Sequence, residues 1–194
     1  NKTVRGALRK LNKSILISSR LVSMPFGEAV RKTATRIDHH MRRRDQKVLM
    51  VTSVAENEGK SSVAANLALA LAEKGRRVML IDVDLKKPAL YKVFEKKEEN
   101  RKYLSDYLDK KAEIKDVLIY EKKEKIYTVF QEKSIHNAAR YLDSMEMKAL
   151  IDAGRKKMDY IILDTPPMSV SSDAELMLKM ADNAVLIVRQ DWTD

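Results

Sequence analysis

The sequence predicts an α/β fold, a doubly wound and mostly parallel sheet with helices on both faces. Short continuous apolar runs, which are typical of strands buried on both faces, alternate with longer stretches of helical periodicity. Several of these runs end in polar residues, and ligands bind beyond the carboxyl ends of the strands in sheets of this kind. The length of 194 residues, with 44% hydrophobic side chains, is enough for one core of ordinary size.

The first half of the predicted sheet is a strand–helix–strand unit. Residues 48–52 form a continuous apolar run, and a turn is expected over residues 53–60. Residues 61–74 are rich in Ala and Leu, which favour a helix, and Gly75 stands at the expected C-terminal stop. The next strand is predicted over residues 78–81.

The second half of the sequence repeats this alternation. Strands are predicted over residues 160–163 and 184–188, and helical patterns occupy residues 104–118 and 144–157. Strands that alternate with helices predict crossover connections and hence a parallel sheet.

The composition excludes several kinds of functional site. The sequence has no cysteine, which excludes a disulfide scaffold, a thiolate zinc site, an iron–sulfur cluster and a cysteine nucleophile. The longest apolar runs are far shorter than the roughly 18–20 residues that span a bilayer. No signal-peptide pattern indicates export.

The net charge of +10 is confined to the first quarter of the sequence. Residues 1–47 hold 13 Lys and Arg and three acidic residues, whereas residues 48–194 hold 25 charges of each sign. This division predicts a basic N-terminal arm over residues 1–47 and a catalytic-looking domain over residues 48–194. An arm of this charge suits an anionic membrane leaflet or an acidic partner.

The arm is predicted to contain one or two helices. A first amphipathic stretch is marked by apolar residues at helical spacing, namely Val4, Leu8, Leu11 and Ile15. A second helix is predicted over residues 28–41. Between them, residues 24–27 are expected to form a break because they include Pro25 and Gly27.

A phosphate-binding pattern follows the first predicted strand. Gly59-Lys60-Ser61 matches the end of the P-loop pattern, whereas Val54 stands where the first glycine of that pattern would be. In a P-loop, backbone N–H groups and the N-terminus of the next helix surround the phosphate oxygens. We predict that Lys60 reaches the β- and γ-phosphates and that the Ser61 hydroxyl binds Mg²⁺. The predicted nucleotide-binding residues are Asn57, Glu58, Gly59, Lys60, Ser61 and Ser62.

Carboxylates follow two other predicted strands. Asp82 and Asp84 lie two residues apart after a buried strand, an arrangement suited to a divalent cation or to the proton of a nucleophile. Asp164 ends the strand over residues 160–163 and fits the second Mg²⁺-positioning acid of P-loop enzymes. Because all these residues stand at the carboxyl ends of strands, they predict one nucleotide site with ATP or ADP and Mg²⁺ as cofactors.

Taken together, these motifs resemble the bacterial tyrosine kinases of capsule and exopolysaccharide assembly, P-loop proteins of the partitioning-ATPase superfamily. The resemblance rests on Glu58-Gly59-Lys60-Ser61, on residues 80–88 with their two aspartates and on residues 159–167. Residues 103–118 are also similar to the middle segment of that family. The resemblance extends over roughly residues 28–190 and implies the P-loop NTPase fold.

The resemblance implies an ATP-dependent, autophosphorylating protein-tyrosine kinase that regulates capsular or extracellular polysaccharide synthesis. Lys60, Asp82 and Asp84 would be the catalytic residues, with Asp82 as a metal-linked acid or base that Asp84 supports. Ser61, Asp82 and Asp164 would serve the metal.

The resemblance also implies partners and a location. A transmembrane activator or polysaccharide co-polymerase, fused or separate, would hold the domain in the cytoplasm at the inner face of the cell membrane. Glu28 and Arg31 match a helix motif through which the family forms ring-shaped homo-oligomers, whereas Ala34 replaces the second arginine of that motif. We therefore expect a homo-oligomer formed through this helix and no specific nucleic-acid partner.

The sequence departs from the family pattern at two places that leave alternatives open. Glu56-Asn57 replaces the usual Pro-Gly of the P-loop, and the family's C-terminal tyrosine cluster is absent, so we expect a truncated C-terminal end. One alternative is a degenerate, non-catalytic nucleotide-binding module that docks on a membrane partner. The other is a partitioning-type ATPase that binds DNA through the arm.

Overall fold

The structure is a computed structural model and describes residues 16–18, 24–56, 59–96 and 98–188. The strands are β1 (Val48–Ser53), β2 (Val78–Asp82), β3 (Ile119–Glu121), β4 (Ile126–Val129), β5 (Tyr160–Asp164) and β6 (Asn183–Ile187). The helices are α1 (Met24–Arg42), α2 (Lys60–Glu73), α3 (Leu90–Val93), α4 (Leu104–Leu108), α5 (Ile114–Val117), α6 (Ala139–Leu142), α7 (Met145–Lys157) and α8 (Asp173–Leu178).

The strands form one six-stranded sheet in the order β3-β4-β2-β5-β1-β6. All neighbouring strands are parallel except β3, which pairs with β4 in the antiparallel direction. β1, β2 and β5 are buried along their whole length, as their continuous apolar sequences predict. The prediction of a doubly wound, mostly parallel sheet is confirmed.

Two hydrophobic cores cover the two faces of the sheet. One core joins the sheet to α1, α2 and α3, and includes Leu67 and Leu71 of α2. The other joins the opposite face to α4, α7 and α8 through residues such as Leu150 and Met177. Among the helices of the described ranges, none combines the length and the apolar character that crossing a membrane requires.

The structure corrects the prediction of a break over residues 24–27, because α1 already begins at Met24. Pro25 stands in the first helical turn, where a missing backbone N–H costs no intrahelical hydrogen bond. The buried stripe of α1 includes Val30, Ala34 and Met41, which pack in the same core as α2. The first predicted amphipathic stretch of the arm lies outside the described residues.

The predicted helix over residues 104–118 is in fact two short helices, α4 and α5, that a turn separates. Lys110 has a positive φ of 61°, which ends the first helix. Each helix then begins with its own carboxylate cap, since the Tyr103 N–H donates to Asp106 and the Glu113 N–H donates to Asp116, both at 2.8 Å. The β3–β4 hairpin was not predicted.

Two ionic contacts fasten α1 to the domain. Arg31, of the predicted oligomer motif, forms a bidentate pair with Glu73 of α2 within the same chain. Asp38 is almost buried, accepts two hydrogen bonds of 3.0 Å from Arg76 and accepts a third of 2.7 Å from the Tyr160 hydroxyl. These contacts tie α1 to α2 and to β5.

We expect the Asp38 contacts to make the stability of the domain depend on pH. Burial acts to raise the pKa of Asp38, but the hydrogen bonds from Arg76 and Tyr160 outweigh it and lower the pKa below the ordinary 3.8. The carboxylate therefore contributes stability above that ordinary pKa, and the contribution is lost as the pH falls through the native pKa. Below about pH 5, the free energy of unfolding should fall more steeply for the unmodified protein than for Asp38→Asn.

Urea unfolding at a series of pH values measures this difference. The matched control is Asp152→Asn, on the exposed side of α7, which should keep the slope of the unmodified protein. Equal slopes for Asp38→Asn and the unmodified protein would contradict the prediction.

Candidate functional site

The polar ends of three strands meet at the carboxyl edge of the sheet, as predicted. β5 lies between β1 and β2, so Asp164 at its end is the register partner of both Val51 and Asp82. Asp84 follows two residues after the end of β2. The phosphate-binding pattern joins β1 to α2 at the same edge, and Gly59, the residue before α2, adopts a φ of +80° that favours glycine.

Lys60 is the first residue of α2, and its side chain is only 7% exposed. Its ammonium lies 2.5 Å from Asp164 Oδ1 and 3.4 Å from Asp84 Oδ2. Burial acts to lower the pKa of Lys60, but attraction by Asp164 and Asp84 is stronger and raises it. The lysine is therefore a fixed positive charge inside a cluster of carboxylates.

Asp82 is fully buried and its carboxylate organises the loop that follows β2. Oδ1 accepts a hydrogen bond from the Asp84 N–H at 3.2 Å, and Oδ2 accepts two, from Ala89 at 3.0 Å and from Leu90 at 3.1 Å. Burial and the neighbouring Asp164 carboxylate raise the pKa of Asp82 well above its usual range. The side chain thus holds the loop against the edge of the sheet.

Asp84 stands nearer to solvent than Asp82 and reaches the cavity at this edge. Its Oδ1 accepts a hydrogen bond from the Lys87 N–H at 3.2 Å, while Oδ2 faces Lys60. Burial raises the pKa of Asp84, and the Lys60 ammonium opposes this effect only in part. Asp84 is therefore a carboxylate suited to accepting a proton at a site that a substrate can reach.

The donor set at this edge fits Mg²⁺. Asp164 Oδ2 is buried and has no hydrogen-bond partner, so one hard oxygen is left for a cation. Within the described ranges, no three His, Asp or Glu side chains form a complete metal cage. Magnesium in phosphate-binding sites commonly uses one or two carboxylates together with phosphates and waters, so a cage is not required. The predicted ligands Ser61, Asp82 and Asp164 remain a prediction.

A cavity of about 920 Å³ opens at the carboxyl edge. The predicted residues that line it are Gly59, Lys60, Ser61, Ser62 and Asp84. Asp82 and Asp164 are not among its lining residues and are fully buried at the adjoining strand ends. Asn57 and Glu58, which were also predicted to bind nucleotide, lie outside the described residues.

The cavity is also lined by residues that were not predicted. They include Tyr91, Lys92, Glu132 and His136. Tyr91 and Lys92 belong to α3, which the Asp82 carboxylate holds in place through the Leu90 N–H. Glu132 and His136 follow β4, a strand that the sequence pattern did not reveal. Nothing in the sequence marks these residues beyond their position after strand ends.

Across the mouth of the cavity, the P-loop contacts the loop after β2. Glu56 accepts a hydrogen bond of 2.8 Å from Lys87, whose side chain is mostly exposed. Exposed pairs of this kind contribute little to stability. The acidic residue that replaces a P-loop proline therefore has a cationic partner beside the phosphate region.

Comparisons with known proteins agree with this geometry. A family model described as an AAA domain matches residues 46–192. Tyrosine-protein kinase YwqD of Bacillus subtilis (strain 168) is 33% identical over 167 residues, which are 86% of this chain and 70% of YwqD.

Two solved structures extend the comparison. The kinase domain of the Escherichia coli tyrosine kinase ETK matches with a TM-score of 0.77 and 28% identity, over 83% of this chain and 62% of that domain. The septum site-determining protein MinD from Pyrococcus horikoshii OT3, complexed with Mg-ADP, matches with a TM-score of 0.62 and 26% identity, over 73% of this chain and 57% of MinD. The chain thus spans less than two thirds of either structure. The sheet order, the lysine at the start of α2 and these relatives agree, and the chain belongs to the bacterial tyrosine-protein kinases of the P-loop ATPase superfamily.

Proposed function

We propose that this chain is an ATP-dependent protein-tyrosine kinase domain that acts in the regulation of capsular or extracellular polysaccharide synthesis. The observation that carries the proposal is the position of Lys60, at the first turn of α2, beside a cavity of about 920 Å³ and the carboxylates of Asp84 and Asp164. A cationic side chain at a helix N-terminus binds phosphate, and carboxylates beside it suit a phosphoryl-transfer site. Membership in the tyrosine-protein kinases supports tyrosine as the acceptor.

In this proposal the N-terminus of α2 binds the phosphates of ATP. The N–H groups of the first turn have no partners within the helix, so they can donate to phosphate oxygens together with the Lys60 ammonium. Lys60 must turn from Asp164 toward the β- and γ-phosphates, which exchanges one anionic partner for another. Gly59, Ser61 and Ser62 line the same cavity.

Ser61, Asp82 and Asp164 would hold Mg²⁺ in the proposed site. The bound ion would neutralise phosphate charge. The free Oδ2 atom of Asp164 supports this assignment, because a buried carboxylate oxygen without a partner is costly unless a cation or donor fills the position.

The transfer itself needs a group that accepts a proton. A tyrosine hydroxyl oxygen bonds to the γ-phosphorus as the bond from that phosphorus to the bridging oxygen breaks, and ADP leaves. The hydroxyl proton passes to a carboxylate. Of the three aspartates at the strand ends, Asp84 lines the cavity, whereas Asp82 holds the loop and the start of α3 in place. Asp82, the register partner of Asp164, stays a proposed metal ligand, and the acid or base role that the resemblance implied for it passes to Asp84.

We also propose a peripheral position in the cytoplasm at the inner face of the membrane, beside a transmembrane activator that is fused or separate. The basic balance of residues 1–47 supports this position. A homo-oligomer through the Glu28–Arg31 helix remains part of the proposal. Glu28 is exposed, and Arg31 would have to exchange Glu73 of its own chain for a group of a neighbouring copy.

A paired binding and transfer assay tests the proposed function. We expect calorimetric titration to show that ADP binds and that Mg²⁺ strengthens the binding. We also expect incubation with Mg-ATP and a tyrosine-containing polypeptide to produce phosphotyrosine on an immunoblot. If nucleotide binds and ATP is hydrolysed but no phosphotyrosine forms, the proposed kinase function is wrong, and the protein is an ATPase or a regulatory module. No nucleotide binding at millimolar concentration would overturn the nucleotide site as well.

A further inference from the structure

The edge of the sheet opposite the candidate site, which we call the amino edge, is formed by the connections that enter the five parallel strands. Helices α1, α2, α7 and α8 end there and lead into β1, β2, β5 and β6, and the β3–β4 turn leads into β4. Parallel strands place all their N-terminal ends at one edge, so these distant parts of the chain lie side by side. The connections are residues 42–47, 74–77, 122–125, 155–159 and 179–182.

The amino edge is strongly basic. Its five connections contain 14 Lys and Arg but only four Asp and Glu. Four of these connections belong to residues 48–194, a stretch whose charges cancel when they are summed along the sequence. Positive and negative charges that are equal in number along residues 48–194 are therefore unevenly distributed over the folded domain. The fold gathers the cations at one edge, opposite the carboxylates of the candidate site.

Most of these cations are available to an outside partner. Arg76 and Arg155 are committed to Asp38 and Asp182, in pairs of 3.0 Å and 2.8 Å. The Arg77 guanidinium is 3.9 Å from Asp159 and its side chain is 67% exposed. The other exposed cations are Arg42, Arg43, Arg44, Lys74, Lys122, Lys123, Lys125, Lys156, Lys157 and Lys179. Cations near the C-terminal ends of the four helices stabilise the helix dipoles, but this role explains only a few of the exposed cations.

Part of the amino edge is concave. Arg42 and Arg43 at the end of α1 line a hollow of about 440 Å³ together with His39 and Arg76. Asp38 also lines the hollow, and Arg76 pairs with it. Cations from two separate segments of the chain thus converge on one opening, which is wide enough for an anionic group.

We propose that the amino edge binds the surface of a bilayer that contains anionic phospholipids. Clustered Lys and Arg side chains are attracted to such a surface, and each contributes on the order of a fivefold gain in partitioning. The proposal deepens the peripheral location given above and rests on it, but it does not depend on catalysis. With lipid at the amino edge, the nucleotide cavity at the opposite edge faces away from the membrane, where ATP and an acceptor can enter.

The local chemistry favours lipid over nucleic acid. The five connections contain no aromatic residue, so they offer no platform on which a base could stack. The four helices named above meet the edge through their C-terminal ends, which present carbonyl groups. Proteins that bind DNA commonly position the duplex with backbone N–H groups and helix N-termini. Long cationic side chains without free backbone N–H groups beside them suit the diffuse negative charge of a lipid headgroup layer.

Cosedimentation of the full 194-residue chain with vesicles tests the proposal. One set of vesicles is pure phosphatidylcholine and the other contains phosphatidylcholine and phosphatidylglycerol. We expect binding only to the second set, with an affinity that falls as salt is added. A variant with Arg43→Gln, Arg77→Gln, Lys156→Gln and Lys157→Gln should bind at least about 100-fold more weakly.

A charge-matched control separates position from net charge. The control carries Lys102→Gln, Lys111→Gln, Lys115→Gln and Lys148→Gln, four exposed residues outside the connections that form the amino edge. It has the same net charge as the first variant and should bind vesicles like the unmodified protein. An equal loss in both variants would overturn the proposal, as would equal binding to both kinds of vesicle.

Measurements of stability, nucleotide binding and DNA binding complete the test. Thermal unfolding and ADP titration of both variants should match the unmodified protein, which shows that the fold and the nucleotide site are intact. If a DNA duplex binds more tightly than the vesicles at equal phosphate concentration, the amino edge is a nucleic-acid-binding surface. That result would overturn the lipid proposal. Failure of vesicle binding with normal phosphotransfer would remove this inference and leave the kinase proposal in place.

Discussion

Replacing Lys60 by methionine is expected to weaken Mg-ADP binding and phosphotransfer by about 100- to 1,000-fold. Methionine keeps most of the length of the side chain but removes the only charge of α2's first turn, where the phosphates are proposed to bind. Calorimetric titration measures the affinity, and phosphotyrosine formation measures the transfer.

The same substitution is expected to lower stability, because the ammonium is the cationic partner of Asp84 and Asp164 inside the site. Leaving buried carboxylates without their partner costs on the order of 3 kcal/mol near neutral pH. The loss should shrink at acidic pH, because burial raises the pKa of Asp84 and the protonated carboxyl group needs no cation. Urea unfolding of Lys60→Met and of the unmodified protein at two pH values measures it.

Two variants serve as controls for Lys60→Met. Lys111→Met removes a cation from an exposed loop and should alter neither affinity nor stability. Lys60→Arg keeps the charge and should recover stability more than phosphotransfer, because the guanidinium does not reproduce the geometry of the ammonium. Full affinity in a folded Lys60→Met variant would refute the assignment of this lysine to the phosphates.

The Asp164→Asn variant is expected to separate metal dependence from nucleotide binding. In the unmodified protein Asp164 both holds Lys60 and offers a free buried oxygen. The amide should remove the strengthening of ADP binding by Mg²⁺, by at least about tenfold. Binding of ADP without Mg²⁺ should be equal or stronger, because Lys60 no longer has to leave a carboxylate to reach a phosphate.

Titrations with ADP, in Mg²⁺ and in a chelator, distinguish these two effects of Asp164→Asn. The control Asp152→Asn removes a carboxylate from the exposed side of α7 and should preserve both affinities. If Asp164→Asn retained the full magnesium effect, Asp164 would be excluded as a metal ligand. A uniform loss of affinity in both conditions would indicate a damaged fold, which thermal unfolding would reveal.

The site was predictable where the residues follow long apolar strands. β1, β2 and β5 are buried on both faces, so their sequences are continuously apolar and their polar ends are conspicuous. Lys60 and the three aspartates could be assembled from that pattern alone. The direction of the Lys60 side chain could not be predicted, because it depends on contact with Asp164, which lies 104 residues further along the sequence.

The hairpin was missed because two of its buried residues are charged. Glu121 and Glu124 suggest a surface turn, yet both are at least nine-tenths buried. Arg101 donates to Glu121 at 2.8 Å, and Lys96 lies 3.3 Å from the same carboxylate. Arg101 also stacks on the ring of Phe130. A charged residue becomes an interior residue only through a partner that local sequence does not reveal.

The break expected at Pro25 was wrong for a related reason. Proline and glycine interrupt a helix in its interior, but at the first turn the same residues are compatible with helix formation. The packing of Val30, Ala34 and Met41 against the core decides where α1 lies, and packing contributes more to helices in proteins than local propensity does.

The position of β1 has a consequence for the order of folding. β1 begins at residue 48, but its two neighbours are β5 and β6, and the register joins Val48 to Ile161 and Leu49 to Asn183. β1 therefore cannot pair until more than a hundred further residues are available. Such long sequence separations slow folding, because the entropy of closing a long loop is lost before the stabilising contacts between the strands can form. During synthesis, β1 and the Ala-rich α2 must stay soluble while most of the chain is still being made.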